Sequence, residues 1–147
     1  MNPEEPIFRY SCPIQVRFTD IDLMSHVTNS VHLAYCDIAR LEYFSQVLGE
    51  QIDYKTESLV IASITIDYLK PIFYYEKIEV LTKTNKIGNK SIQTLQHIIN
   101  SETREIKSVL KAAIAGFNYI EQKSIAIPER WKNRLIEFDK DVEYKYQ

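Results

Sequence analysis

Apolar and polar residues alternate at several places along the chain with the two-residue period of a β-strand. The first such segment, residues 14–18, follows Pro13, and proline is tolerated at the start of a strand. Four later segments, bounded by turn-forming residues, also have the composition of strands. The predicted strands are 14–18, 60–68, 77–83, 91–99 and 106–120.

A helical period occurs between the first two predicted strands. Apolar residues recur three or four positions apart from Val31 to Leu41, and further apolar residues widen this stripe well beyond one narrow face. Residues 28–30 are all good N-caps, and Gly49 suits the position after a helix end. The pattern predicts a helix from about 30 to 48 that is buried on more than one side.

The C-terminal part predicts a second, shorter helix. Pro128 suits a first helical turn, and Trp131, Leu135 and Phe138 recur at helical spacing. The order of elements predicts an α+β fold in which an antiparallel sheet wraps around the long helix. Residues 109–117 are apolar on both faces of their strand, so we expect a second subunit on the face that the helix does not cover.

Length and charge narrow the classes of function. The 147 residues fit one domain, 1–147, with a core at about 13–130. With 18 basic and 20 acidic residues the net charge is −2, so we expect no nucleic-acid partner. No apolar run approaches the roughly 18 residues of a membrane span, and we expect no membrane insertion. The absence of a secretory pattern and the two dissimilar cysteines, Cys12 and Cys36, predict reduced thiols and a cytoplasmic location.

Candidate chemistry is concentrated in the polar segment 19–29, between the first strand and the long helix. N–H groups at a helix N-terminus lack intrahelical partners, and the helix dipole adds about half a positive charge there. Asp22, His26 and Asn29 are spaced to converge on this point if the segment folds back. The N–H groups could then stabilise an oxyanion while the carboxylate activates water or attacks directly.

Other interpretations of this segment compete with catalysis. Asp20 and Asp22 also suit the capping of turns and of the helix. Asp22 with His26 and His32 could bind a divalent metal through two imidazoles and one carboxylate, but no second carboxylate accompanies them. A calcium loop is excluded because Ser25 and Val31 occupy the positions of its glycine and its last glutamate. We therefore expect no metal.

Three motifs lie in order along the chain. Residues 17–29 read RFTDIDLMSHVTN, residues 66–72 read IDYLKPI, and residues 86–91 read KIGNKS. The set resembles the acyl-CoA thioesterases of the hotdog family related to 4-hydroxybenzoyl-CoA thioesterase. That family has an Asp-x-Asp pair followed by Gly-His-Val-Asn-Asn, then an Asp-Tyr-Leu-Arg-Pro segment and an Ile-Gly-x-x-Ser turn. The resemblance covers about residues 13–130.

The resemblance implies a hotdog fold, with dimers that often pair into tetramers and active sites at the subunit interface. It implies hydrolysis of an acyl-CoA thioester to a free acid, with coenzyme A as part of the substrate and no separate cofactor. The family's catalytic carboxylate falls on Asp22, as general base or nucleophile, and its histidine and last asparagine fall on His26 and Asn29. N–H groups around Thr28 and Ser30 are expected to polarise the thioester carbonyl.

Three positions depart from the family pattern. Ser25 replaces a glycine, and a positive φ there would be strained. Thr28 replaces the first asparagine, and His32 stands where many relatives carry tyrosine. The carboxylate remains, so hydrolysis is still expected, whereas rate, substrate and oxyanion geometry stay open.

Several other residues have two interpretations each. Tyr35, Tyr68 and Phe73 could line an acyl pocket, although core packing is their default interpretation. Lys90, with Lys83 and Lys86 nearby, could bind the phosphates of coenzyme A. The lysines could also simply be exposed to solvent around a turn.

Within the long helix, the sequence favours structural roles for the remaining polar residues. We expect His32 to be a core histidine and Asp37 to pair with Arg40. Cys36 is not expected to be a nucleophile, because no base lies near it in the sequence.

Three rival functions are retained. The first is a thioesterase that acts on acyl carrier protein, the second a non-catalytic acyl-CoA-binding hotdog protein, and the third a hotdog hydratase or dehydratase. The presence of Asp22 argues against a pure binding protein, because binding alone needs no carboxylate beside the thioester.

Overall fold

The computed structural model describes residues 5–144. Within this range, the strands and α-helices follow one another in the order β1, α1, β2 to β6, α2, β7. Their bounds are β1 Tyr10–Ile14, α1 Asn29–Leu48, β2 Ser58–Tyr68, β3 Ile78–Ile87, β4 Ser91–Asn100, β5 Ile106–Asn118, β6 Lys123–Ile125, α2 Glu129–Phe138 and β7 Glu143–Tyr144.

The strands form one sheet, in the spatial order β1-β3-β4-β5-β2, with antiparallel pairing throughout this path. Strand β6 adds to β5, and β7 pairs in parallel with β3. The helix α1 packs across the sheet against β1, β3 and β4. The predicted α+β class, an antiparallel sheet with one long helix against it, is confirmed.

Helix α1 begins and ends as its sequence predicts, but its buried face is rotated from the predicted stripe. Thr28 is the N-cap, and Gly49 ends the helix with a left-handed φ of 69°. The buried face is centred on Cys36, Ala39 and Tyr43, all fully buried. Ile38 and Leu41, which belong to the predicted stripe, are 49% and 62% exposed. The helix carries more apolar residues than one chain covers, so periodicity alone could not choose between the faces.

Strand β1 lies earlier than predicted. The alternating segment 14–18 contributes only Ile14 to the sheet, and β1 runs from Tyr10 instead. Pro13 lies inside the strand, opposite Glu79 of β3. Because β1 is an edge strand and pairs on one side only, a missing N–H at Pro13 is tolerated there. Strand β3 is longer than predicted, since a bulge after Thr84 interrupts its alternation and pairing then resumes.

The two faces of β5 are unequal in the single chain. Leu110, Ala112 and Ile114 are buried on the core side, whereas Val109 and Ala113 on the other side are half-buried. A second subunit over that face remains a prediction. Within residues 5–144, no helix has the length and apolar character needed to cross a membrane.

Candidate active site

The segment between β1 and α1 folds back on itself, which is the condition under which Asp22, His26 and Asn29 were expected to converge. Ile21 and Val27 form an antiparallel bridge, and the N–H of Asp22 donates to the carbonyl of His26 at 2.9 Å. The chain reverses at Ser25, whose φ is 62°. The strained backbone expected where this chain lacks the family glycine is therefore present.

Asp20, the first carboxylate of the pair, is buried and stabilises this loop through hydrogen bonds. It is 7% exposed, and its Oδ2 accepts the N–H of Arg17 at 2.9 Å and the hydroxyl of Tyr35 at 2.7 Å. Burial, together with this carboxylate, raises the pKa of Tyr35, which stays a protonated donor. Tyr35 itself is 3% exposed. The expectation that Tyr35 lines an acyl pocket is wrong for the single chain, because its hydroxyl is committed to Asp20.

Asp22, the second carboxylate, is exposed and held in one orientation. Its Oδ1 accepts the N–H groups of Met24 at 2.9 Å and His26 at 3.2 Å. Its Oδ2 makes no hydrogen bond with any described residue. The backbone of the folded loop therefore fixes the carboxylate through one oxygen and leaves the other available to a water or a ligand.

The start of α1 offers two free hydrogen-bond donors. The N–H groups of Val31 and His32 both donate to the carbonyl of Thr28, at 2.9 and 3.3 Å. The N–H groups of Asn29 and Ser30 have no acceptor within the described part of the chain. The N–H of Thr28 donates to the carbonyl of Asp20 at 3.0 Å, so the expectation that Thr28 contributes to an oxyanion site through its backbone is wrong. The free donors begin one residue later.

A buried imidazole forms the floor beside these donors. His32 is 2% exposed, and its Nδ1 lies 3.2 Å from Ser108 Oγ on β5. Its ring packs edge-on against Tyr68 of β2, whose hydroxyl donates to the carbonyl of Asn29 at 3.1 Å. Burial lowers the pKa of His32 to about 4, so the imidazole is neutral near pH 7.

Asp22, Asn29 and the pair His32 and Tyr68 line one groove of about 450 Å³, whereas Ser30 is not among its lining residues. It brings together the predicted residues Asp22, His26, Thr28, Asn29 and Tyr68, and His32 as well. His32 is buried as expected for a core histidine, yet it also borders the groove beside Asp22 and His26, the two residues with which the sequence analysis grouped it as an alternative metal site.

His26 occupies the rim of this groove. Its ring packs edge-on against Phe73, with ring centres 4.8 Å apart, and the two backbones form an isolated bridge. Phe73, a candidate for the acyl pocket, therefore supports His26 and is not among the residues that line the groove.

The lysines considered for coenzyme A are placed elsewhere. Ser91, beside Lys90, lies opposite Ala115 on β5, whereas Tyr68 lies opposite Ser108. At about 3.3 Å per residue this separates Lys90 from the groove by roughly 23 Å within one chain. Lys83 is buried and pairs with Asp141 at 2.6 Å. One chain therefore does not bring Lys90 to its own candidate site.

Structural roles predicted along α1 are found. Asp37 and Arg40 pair at 2.8 Å. Cys36 is fully buried, and burial raises its pKa to about 12, which excludes a reactive thiolate. Between residues 5 and 144, no three His, Cys, Asp or Glu side chains are grouped so that they could hold a metal ion.

Comparison with known proteins places this chain in a family. The model of the thioesterase-like superfamily matches residues 16–135. The uncharacterized protein YsmA of Bacillus subtilis (strain 168) is 30% identical over 91 residues, which are 62% of this chain and 60% of that protein. This chain thus matches less than two thirds of the length of that relative.

Two solved structures are similar to the whole fold. A thioesterase of Thermus thermophilus, complexed with coenzyme A and Zn, has a TM-score of 0.79 at 23% identity, over 90% of this chain and 96% of that one. A 1,4-dihydroxy-2-naphthoyl-CoA thioesterase of Synechocystis has a TM-score of 0.78 at 16% identity, over 88% and 97%. These likenesses confirm the predicted hotdog fold. Because the family model spans most of the chain, the protein belongs to the thioesterase-like superfamily.

Proposed function

We propose that the protein is an acyl-CoA thioesterase that hydrolyses its substrate to a carboxylic acid and coenzyme A. One observation carries the proposal: Asp22, with one carboxylate oxygen unpaired among residues 5–144, and Asn29, whose N–H is likewise unpaired in that range, line the same groove. A carboxylate and preorganised donors on either side of a carbonyl carbon are the two parts that acyl transfer to water requires.

In this mechanism the thioester oxygen accepts the N–H groups of Asn29 and Ser30, where the helix dipole stabilises developing negative charge. Asp22 takes a proton from water as the water oxygen adds to the carbonyl carbon. Collapse of the tetrahedral intermediate breaks the carbon–sulfur bond, and the departing thiolate of coenzyme A receives the proton. In the alternative, Asp22 attacks the carbonyl itself, and the carbon–sulfur bond breaks to release coenzyme A thiolate and leave a mixed anhydride. Water then hydrolyses this anhydride, which regenerates Asp22, and the thiolate takes up the proton that the water releases.

His26 and Asn29 support this reaction without forming or breaking a bond. The N–H of His26 helps to hold Asp22 Oδ1, and its ring stands at the rim of the groove. Asn29 supplies an N–H donor, and its carbonyl is held by Tyr68. The neutral His32 and Tyr68 complete the wall on which the thioester rests.

The substrate supplies its own coenzyme A, and the reaction needs only water besides. The structural relative from Thermus thermophilus binds coenzyme A, which supports a coenzyme A thioester as the substrate class. Both cysteines of this chain are free and buried, in keeping with a reducing compartment, and we place the reaction in the cytoplasm.

We further propose that the chain works as a homodimer, which can pair into a tetramer. Strand β2 is an edge of the sheet that residues 5–144 form, and the backbone groups along its outer side have no strand partner in this range. Ile61 on this strand is 44% exposed, and Ile38 and Leu41 on α1 lie uncovered in the single chain. Pairing of β2 with its copy would satisfy the edge and continue the sheet through both subunits.

The test of catalysis compares two aspartates with similar local structure. Asp22 and Asp53 each accept the N–H of the residue two positions later, at 2.9 and 2.8 Å, but only Asp22 faces the groove. We expect Asp22→Asn to lower kcat for acyl-CoAs by about a hundredfold or more, since the amide is no base. Asp53→Asn should stay within about twofold of the unmodified protein.

The measurement is release of coenzyme A thiol from acetyl-, decanoyl- and benzoyl-CoA. Unchanged turnover by Asp22→Asn would show that the carboxylate is misassigned. If the unmodified protein binds these thioesters tightly and hydrolyses none of them, the proposed activity is wrong and the acyl-CoA-binding alternative replaces it.

A further inference from the structure

Residues 69–76, most of the connection between β2 and β3, form a strap along one side of the groove that contains Asp22. The first three residues of the strap line the groove itself. They belong to neither strand, because β2 ends at Tyr68 and β3 begins at Ile78. The position of this wall of the groove therefore depends on contacts other than regular strand pairing.

The strap also supports the loop that carries Asp22. The carbonyl of Ile72 accepts the N–H of Val27 at 2.8 Å, and Phe73 forms the backbone bridge and the ring contact with His26. The N–H of His26 in turn donates to Asp22 Oδ1 at 3.2 Å. A displacement of the strap would therefore reach the candidate catalytic carboxylate through Val27 and His26.

One buried side chain outside the groove holds the strap in place. The side chain of Lys107, on β5, is 3% exposed, and its Nζ donates to the carbonyl of Pro71 at 3.2 Å and to Glu76 Oε1 at 2.7 Å. A third hydrogen bond, to Glu105, is also 2.7 Å long. The ammonium group has three donors, and two of its three acceptors belong to the strap.

Further hydrogen bonds strengthen this attachment. The carbonyl of Lys107 accepts the N–H groups of Leu69 and Lys70, at 2.8 and 3.0 Å. At the other end of the strap, Glu76 Oε2 accepts the N–H of Phe73 at 2.8 Å. Both ends of the strap are therefore bound to the same residue of β5, directly at the start and through the ion pair with Glu76 at the end.

A bulge in β5 accounts for the orientation of Lys107. Ser108 pairs with Ile98 of β4 and Ile106 pairs with Ile99, so Lys107 is an extra residue without a pairing partner on β4. A bulge turns side chains away from their regular directions, and bulges are frequent beside active sites.

We propose that Lys107 is a positioning residue: through its ion pair with Glu76 and its hydrogen bond to Pro71, it holds the strap, and thereby His26 and Asp22, in the geometry that hydrolysis requires. The inference rests on the proposed thioesterase function and adds to it a residue that does not line the groove. Lys107 touches neither the substrate nor the reacting atoms.

The test separates loss of position from loss of stability. Lys107→Met leaves the buried carboxylate of Glu76 without its cation, so the melting temperature should fall by about 5 °C or more. The double variant Lys107→Met with Glu76→Gln has no buried charge left unpaired at this place, and it should regain roughly half of that loss or more.

Activity should not return with stability. In both variants kcat should be about tenfold or more below that of the unmodified protein, because both lack the donor to Pro71 and small displacements of a catalytic group cost large factors in rate. The substrate is whichever of acetyl-, decanoyl- and benzoyl-CoA the unmodified protein hydrolyses fastest. Each rate is measured at a temperature at which circular dichroism shows the variant folded.

Lys83 offers a matched control. Its side chain is 5% exposed and pairs with Asp141 at 2.6 Å, but it lies on β3 and does not line the groove. Lys83→Met should also lower the melting temperature, yet its kcat should stay within about twofold of the unmodified protein. Lys107→Arg keeps a cation with several donors and should retain kcat within about threefold.

Failure of this inference differs from failure of the proposed function. If the double variant regains kcat together with its melting temperature, Lys107 acts through stability alone and the positioning role is overturned while hydrolysis stands. Full kcat in Lys107→Met, or an equal loss of kcat in Lys83→Met, would overturn it as well. Absence of hydrolysis with every thioester in the unmodified protein would instead refute the thioesterase function, and the positioning role with it.

Discussion

Ser25 has a backbone conformation that its side chain disfavours. With a φ of 62°, it lies in the left-handed region at the turn of the loop that carries Asp22 and His26. A side chain with a Cβ is strained there by about 1 kcal/mol, whereas glycine is not. The strain is stored beside the candidate catalytic carboxylate.

Ser25→Gly should therefore stabilise the protein, by about 0.5–1 kcal/mol in the free energy of unfolding. The same chemical change at Ser45, an exposed position inside α1, should destabilise it by about 0.5–1 kcal/mol because glycine is a poor helix former. Urea unfolding followed by circular dichroism measures both. Destabilisation of similar size by both variants would mean that the conformation at Ser25 carries no strain.

His32 links protonation to stability. Burial lowers its pKa to about 4 in the folded protein, from about 6.5 in an unfolded chain. Between these values the unfolded state binds more protons, so the free energy of unfolding falls as pH decreases from about 6.5 towards 4. Above about pH 6.5, His32 no longer makes the free energy of unfolding depend on pH, because the imidazole is neutral in both the folded and the unfolded state.

We expect His32→Gln to be less sensitive to acid than the unmodified protein. Between pH 7 and pH 5 the loss of stability due to His32 should be about 2 kcal/mol, and the variant should lack this part of the loss. Urea unfolding at the two pH values measures the difference. Equal losses in the two proteins would contradict a buried neutral imidazole.

At the scale of single elements, close approach between β5 and β6 depends on a glycine. Gly116 pairs with Ile125, and a Cβ at this position would stand 2.7 Å from the carbonyl oxygen of Ile125. That distance is too short for a real contact, so the backbone would have to move. At Gly88, in the turn between β3 and β4, the nearest atom would be 3.4 Å away, which is ordinary packing.

Gly116→Ala should accordingly lower the free energy of unfolding by about 2 kcal/mol, the size typical of overpacking. Gly88→Ala should change it by less than about 0.5 kcal/mol, since it adds the same methyl group without a clash. Thermal and urea unfolding provide the comparison. If the two substitutions have equal effects, the pairing of β6 with β5 is looser than the structure shows.

Elements also differ in how far their sequence predicts them. The ends of α1 follow from local chemistry, the capping residues and Gly49, and were predicted within one residue. Its buried face was not, because Ile38 and Leu41 are as apolar as the residues that the sheet covers. The start of β1 was also misplaced, since alternation continues past Ile14, where hydrogen bonding to β3 stops.

At the scale of the whole molecule, the uncovered edge of β2 predicts self-association. Ile61→Asp would place a charge in the proposed interface and should shift the protein from dimer to monomer, as seen by light scattering after size-exclusion chromatography. Ile120, which follows β5 and is 68% exposed, serves as the control, and Ile120→Asp should leave the dimer intact. A dimer that survives Ile61→Asp would exclude β2 as the interface.

The sequence by itself determined the class of fold, the central helix and the loop that carries Asp22, His26 and Asn29. These features depend on periodicity, caps and motifs, which act over a few neighbouring residues. Only the tertiary structure decided that the N–H groups of Asn29 and Ser30 are unpaired among the described residues. It also decided that the hydroxyl of Tyr35 donates to Asp20 and that His32 lies within hydrogen-bond distance of Ser108. Such contacts join residues that are far apart in the chain. They depend on the register of the strands and the rotation of the helix, and no local sequence pattern specifies either.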